Sequence, residues 1–178
     1  MKVLKLRATT TFLGYAGGGI QEGMEIQQIA RENGDKVINS ALEIERVIRD
    51  IIEIFLFSED DNSRSIFRST ISNMEWFGFH NKLKVLGGIT QEIDWLEPAE
   101  RKSILNEIKE VIKWRNAFAH GRLISQEKGV YIHHRTGNKP RSIELSDEFW
   151  ETVEQTFLSI QQRLTQLMNG MEHRHKED

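Results

Sequence analysis

The chain has 178 residues, of which 38% are apolar and 29% charged, with a formal net charge of −3. That suits one domain of ordinary size with enough apolar material for a core, and it excludes wholesale disorder. Cysteine is absent, which excludes disulfides, cysteine nucleophiles and thiolate metal sites and fits a cytoplasmic protein.

Residues 1–34 show little periodicity. "AGGGIQEGMEIQQ" carries a triple glycine, so a flexible lead-in is expected, with a short strand at Val3–Leu6. Lys2, Lys5 and Arg7 are diluted by Thr9, Thr10, Thr11 and Gly14, so no signal peptide is expected. No run of about 18 apolar residues follows anywhere, so no membrane contact is expected either.

From Asp35 the pattern turns helical. Val37, Ile38, Ala41, Leu42, Ile44, Ile48, Ile51, Ile52 and Phe55 recur at steps of three and four. This predicts a long amphipathic helix that ends at "SEDDNS" (58–63), where the acidic residues form a solvated loop. A second helix is expected over roughly 63–77, using Ile66, Phe67, Ile71, Met74 and Trp76, and the aromatics of "FRSTISNMEWFGF" (67–79) are read as core or dimer interface. "FGFHN" (77–81) bends the chain. A third helix uses Leu83, Val85, Leu86 and Ile89, weakened at its end by Gly87 and Gly88.

Pro98 starts the next helix, in the first turn where its missing N–H costs nothing. Ile104, Leu105, Ile108, Val111, Ile112 and Phe118 form its apolar face, and Gly121 sits where glycine caps a helix end. Residues 122–145 read as short strands, "RLIS", "GVYIHHR" and "RSIEL", separated by turns. Ser146 caps a final helix over 147–169, with Phe149, Val153, Phe157, Ile160, Leu164 and Leu167 as its buried stripe. The expected organisation is a flexible segment 1–34, a helical domain 35–169 with a β insertion at 122–145, and a charged tail 170–178. The fold class is all-α: a bundle of about five helices with a small hairpin or meander before the last.

The chemistry concentrates in "IKWRNAFAHGRL" (112–123). On a helix Asn116 and His120 lie about 40° apart and share a face. Arg115 is roughly 140° from His120, but its side chain is long enough to reach the helix end. A guanidinium binds phosphate through a planar fork of donors and stays charged. A histidine moves protons near neutral pH, and an asparagine amide can orient either partner. These three suit phosphodiester cleavage by attack of the RNA 2′-hydroxyl, with His120 as acid or base and Arg115 stabilising charge on phosphorus. That reaction requires neither a metal nor a cofactor.

The surroundings agree. Between Val111 and Arg141 there are seven basic side chains and one acidic, Glu127, a local balance of +6 within a chain of −3. Lys113, Arg122, His133, His134, Arg135, Lys139 and Arg141 are the candidate RNA-binding residues, with Tyr131 as a stacking surface. The competing explanation is structural. Arg, Asn and His at a helix end can cap carbonyls, satisfy the dipole or pair with Glu45 or Glu53 of the first long helix. A metal held by His120, His133 and His134 is a weaker alternative, because adjacent strand histidines point to opposite faces.

"RNAFAH" (115–120) resembles the R-x4–6-H motif of HEPN domains, with the polar residue those domains favour directly after the arginine. "ERKSILNEIKEVIKWRNAFAHGRL" resembles the HEPN motif helix along its length, within a resemblance covering residues 35–168. The resemblance implies an all-α bundle, a homodimer, and a composite metal-independent endoribonuclease site. Arg115, Asn116 and His120 would be contributed twice to it, and the products would carry 2′,3′-cyclic phosphates. It also implies a toxin or antiphage-defence setting, with an antitoxin or regulatory partner. Two features depart from the pattern. Toxins paired with a nucleotidyltransferase antitoxin often have a tyrosine two residues after the histidine; Arg122 stands there, which counts against that pairing. The β insertion is unlike the smallest HEPN toxins. Some HEPN domains have lost cleavage and serve as modules binding RNA, nucleotide or protein.

Overall fold

A computed structural model describes residues 4–6, 20–57, 60–126, 129–137 and 139–174. Most of the described chain is helical. The helices are α1 (Ile20–Phe57), α2 (Asp61–Phe67), α3 (Phe79–Ile89), α4 (Pro98–His120) and α5 (Asp147–Arg174). Strands β1 (Arg122–Gln126), β2 (Gly129–Thr136) and β3 (Lys139–Glu144) form an antiparallel meander between α4 and α5. No helix among the described residues is long and apolar enough to cross a membrane.

The N-terminal expectation is corrected from Ile20 onward. α1 starts there, fifteen residues before the expected Asp35. Ile26, Ile29, Ala30, Asn33 and Val37 are all buried, at the three- and four-residue steps of a helix face. Gly34 masked this continuity. It is a helical glycine at a close approach: a Cβ there would lie 2.7 Å from Phe118 Cδ1. The strand expected at Val3–Leu6 also fails over Leu4–Leu6, which have no regular structure. Val3 and the triple glycine lie outside the described residues.

The segment 63–77 is not one helix. α2 ends at Phe67 and is followed by a π turn (Arg68–Ser72) and a 3-10 turn (Glu75–Phe77). Phe67 and Phe77 are buried, with ring centroids 5.8 Å apart, whereas Ile66, Ile71, Met74 and Trp76 are exposed. Asp60, within the acidic stretch read as a loop, caps α2 by accepting from the Asn62 and Ser63 amides at 3.1 Å each. Ser58 and Glu59 lie outside the described residues. At the other end, α5 runs five residues past the expected 169.

The chain divides into two compact units, Met1–Ala41 with Lys113–Leu158, and Leu42–Ile112 with Ser159–Asp178. In the second, the core is aliphatic: Ile44, Ile48, Ile51, Leu86, Ile104, Ile108, Ile160 and Leu164 are almost fully buried. It also encloses charge. Glu53 is 1% exposed, and Arg68 Nε and Nη2 both reach its Oε2 at 2.6 Å. Arg49 Nε lies 3.5 Å from Oε1, too long for a good hydrogen bond. Arg68→Ala is expected to leave this carboxylate under-satisfied and to cost about 1–3 kcal/mol in urea unfolding. A change near zero would show that Arg49 alone suffices.

The first unit carries the meander and the end of α4. Val130, Ile132, Leu145, Trp150, Val153 and Phe157 are buried there, together with Trp114 and Ala117 of α4. Ser146 Oγ accepts from the Phe149 amide at 3.2 Å and so starts α5 as expected.

Candidate functional site

Aromatic packing fixes how the end of α4 is rotated. The Trp114 ring meets Phe149 edge-on at 6.0 Å, and Phe118 stacks on Trp150 at 5.7 Å. Ala117 is fully buried beside them. With that face turned inward, Lys113, Asn116 and His120 fall within about 60° of one another on the opposite face. All three are exposed.

Arg115 lies at the border between the faces and is half-buried. Its Nη1 donates to Asn116 Oδ1 at 3.0 Å, while its Nε is buried without a hydrogen bond. The hydrogen bond draws the guanidinium toward the face that carries His120. The glutamates that could have neutralised it are engaged elsewhere: Glu45 pairs with Lys82 at 2.8 Å, and Glu53 with Arg68. Among the described residues no carboxylate forms an ion pair with Arg115. The helix end thus presents an uncompensated guanidinium, an amide oriented by it, and an exposed imidazole.

Gly121 closes α4, donating its amide to Ala117 O at 2.7 Å. Its backbone is not in the left-handed conformation of a usual glycine cap. The glycine is required by crowding: a Cβ would lie 2.7 Å from Ile132 Cγ1 and 3.1 Å from His133 O. α4 therefore ends directly against β2, and His120 is held one residue from that contact. Gly121→Ala is expected to destabilise the protein by about 1–3 kcal/mol through overpacking, read as a lowered urea midpoint. An unchanged midpoint would mean that both the last turn of α4, through the Ala117 carbonyl, and β2 yield freely.

The meander sorts the candidate RNA-binding residues. Arg122 pairs with His133, and His133 with Ser142, in one cross-strand row. Side chains alternate along a strand, so Arg122, His133 and Arg135 share one face with Tyr131. His134 pairs with Arg141 and shares the other face with Lys139 and the buried Ile132. The seven residues therefore do not make one surface. Lys113 lies with the helix trio, and the strand residues divide three and three. The three histidines do not gather either, and no group of His, Asp or Glu among the described residues could hold a metal.

A cleft of about 570 Å³ opens on the other side of the α4 terminus. Phe118, Gly121 and Arg122 belong to it; Arg115, Asn116 and His120 do not. Sequence reasoning missed this cleft. Its α1 wall lies in residues 27–38, mostly within the segment read as a flexible lead-in. A helical spacing of Ile26, Ile29, Ala30 and Val37 was the available signal. No family model, curated protein or solved structure matches the chain.

Proposed function

We propose that the protein is a HEPN-type endoribonuclease that cleaves RNA by attack of the 2′-hydroxyl on the adjacent phosphorus. One observation carries this reading. Arg115 has no carboxylate partner among the described residues and is hydrogen-bonded to Asn116 on the helix end that exposes His120. A phosphodiester supplies the missing anion.

In this reaction the 2′-oxygen forms a bond to phosphorus and the bond to the 5′-oxygen breaks. The products are a 2′,3′-cyclic phosphate and a 5′-hydroxyl. One proton leaves the 2′-hydroxyl and one arrives on the 5′-oxygen. His120 handles these transfers, and Arg115 stabilises the negative charge that grows on the phosphoryl oxygens. Asn116 holds the guanidinium in place. Two copies of the chain, each contributing the trio, would provide one histidine to accept a proton and another to donate one. Lys113 and the Arg122–His133–Arg135 face supply charge for the flanking backbone. A role as a toxin or defence effector, restrained by a partner, goes with this reading.

The test compares an all-ribose oligonucleotide with the same sequence carrying 2′-deoxyribose throughout, both in EDTA. The expected result is cleavage of the ribose strand alone, with cyclic-phosphate ends. Cleavage of both strands, or 5′-phosphate products, would rule the mechanism out.

A non-catalytic module binding RNA, nucleotide or protein is the second reading. It is favoured by the absence of the trio from the cleft lining. It predicts RNA binding that persists without turnover.

A further inference from the structure

We infer that the outward face of the meander binds an unpaired guanine of an RNA strand, with the base stacked on Tyr131 and its Watson–Crick edge held by the Glu144 carboxylate. The inference deepens the ribonuclease reading and rests on it for the choice of RNA as the ligand.

The face follows from the strand register. Ile124, Tyr131 and Glu144 form one cross-strand row, and Arg122, His133 and Ser142 form the next. Side chains alternate along each strand, so both rows share a face, and Val130 and Ile132 turn to the other. Val130 and Ile132 are buried, whereas Arg122, His133, Ser142 and Glu144 are exposed, so the Tyr131 face is the outer one. Tyr131 itself is half-buried. Its ring leans back along β2 over Gly129, where an added Cβ would lie 3.6 Å from Cε2 and 3.7 Å from Cζ. The same point is 3.5 Å from Glu144 Oε1. A residue without a side chain thus lets the ring lie low against the sheet, with a carboxylate beside it.

A flat ring on an open sheet face stacks an unpaired base, and stacking alone tolerates any base. The carboxylate supplies the choice. None of the described residues pairs with the Glu144 side chain. When ionised it can only accept hydrogen bonds. Guanine is the standard base whose Watson–Crick edge sets two N–H donors, on N1 and N2, side by side. Adenine and cytosine present one donor next to an acceptor nitrogen, and uracil presents one donor between two acceptors. In a duplex that edge is already occupied, so the guanine has to be unpaired. Arg122 and His133 in the neighbouring row, with Arg135 two residues further along β2, offset the Glu144 charge and face the flanking phosphates.

The test is fluorescence anisotropy of the whole protein with labelled 2′-O-methyl pentanucleotides, all uridine except for a central guanine, adenine, cytosine or uracil. Such strands have no free hydroxyl to attack phosphorus, so binding is read without cleavage. The guanine strand is expected to bind about tenfold or more tighter than the other three. A hairpin carrying guanine only in its stem should bind no better than the uracil strand. Glu144→Gln, at an exposed position, should abolish the guanine preference and favour adenine, because an amide offers one donor and one acceptor. Tyr131→Ala should weaken binding by about 10- to 100-fold, and Tyr131→Phe should change it little. Arg135→Gln should weaken all four strands alike. Equal binding of the four strands, binding of none, or a guanine preference that survives Glu144→Gln would overturn the inference. So would full affinity in folded Tyr131→Ala; the Glu144→Gln result stands even if that variant does not fold. Cleavage of ribose strands without a guanine preference would overturn this site alone, whereas the preference without cleavage would uphold it and overturn the nuclease reading.

Discussion

Replacing His120 by alanine is expected to lower RNA cleavage by about 10²- to 10⁴-fold, the usual contribution of a positioned acid or base. The melting temperature should hardly change, because the imidazole is exposed and forms no hydrogen bond or ion pair with a described residue. Arg115→Ala should lower cleavage by a similar factor, about 10²- to 10³-fold, through loss of charge stabilisation on phosphorus. Its effect on stability should be larger than that of His120→Ala, since part of the side chain is buried and Nη1 bonds Asn116. Arg115→Lys keeps the charge but loses the planar fork, so it should rescue little. Cleavage and melting temperature measured on the same preparations check this. Full activity of His120→Ala would exclude it from proton transfer.

Phe157→Ala is expected to have the opposite signature. The ring is fully buried and lies 6.5 Å from Trp114, the residue that sets the rotation of the motif helix. Its removal should cost about 3–5 kcal/mol, combining lost transfer energy with a cavity. Cleavage should fall only as the folded fraction falls, and should recover at lower temperature. A loss under about 1 kcal/mol in urea unfolding would mean that the aromatic cluster does not fix the end of α4. The two variants separate what the site does chemically from what holds it in place.

α4 was readable at both ends. Pro98 cannot donate a backbone bond inside a helix, and Gly121 is followed at once by alternating strand residues. The meander was readable for the same reason of period. The start of α1 was not, because Gly34 is unfavourable in an isolated helix and is tolerated here only to admit Phe118, some eighty residues away. The segment 63–77 failed differently. Its apolar residues have helical spacing, but spacing does not say which of them is covered, and Ile66, Met74 and Trp76 stay exposed.

At the site, "RNAFAH" showed its helix, its end and the shared face of Asn116 and His120. It could not show that Glu45 and Glu53 pair with Lys82 and Arg68, or that no carboxylate among the described residues forms an ion pair with Arg115. The basic window showed charge but not its distribution. His133 and His134 are neighbours in sequence and lie on opposite faces of the sheet. The cleft could not be seen at all, because it joins residues of α1, α4, β1 and β2 that have no common motif.

The most direct measurement is digestion of a mixed RNA pool in EDTA by the wild type, His120→Ala and Arg115→Ala, each confirmed to be folded. The account predicts cyclic-phosphate products from the wild type and almost none from either variant. An intact pool with folded wild-type protein, or equal cleavage by all three, would contradict it and leave "RNAFAH" as a binding or structural element.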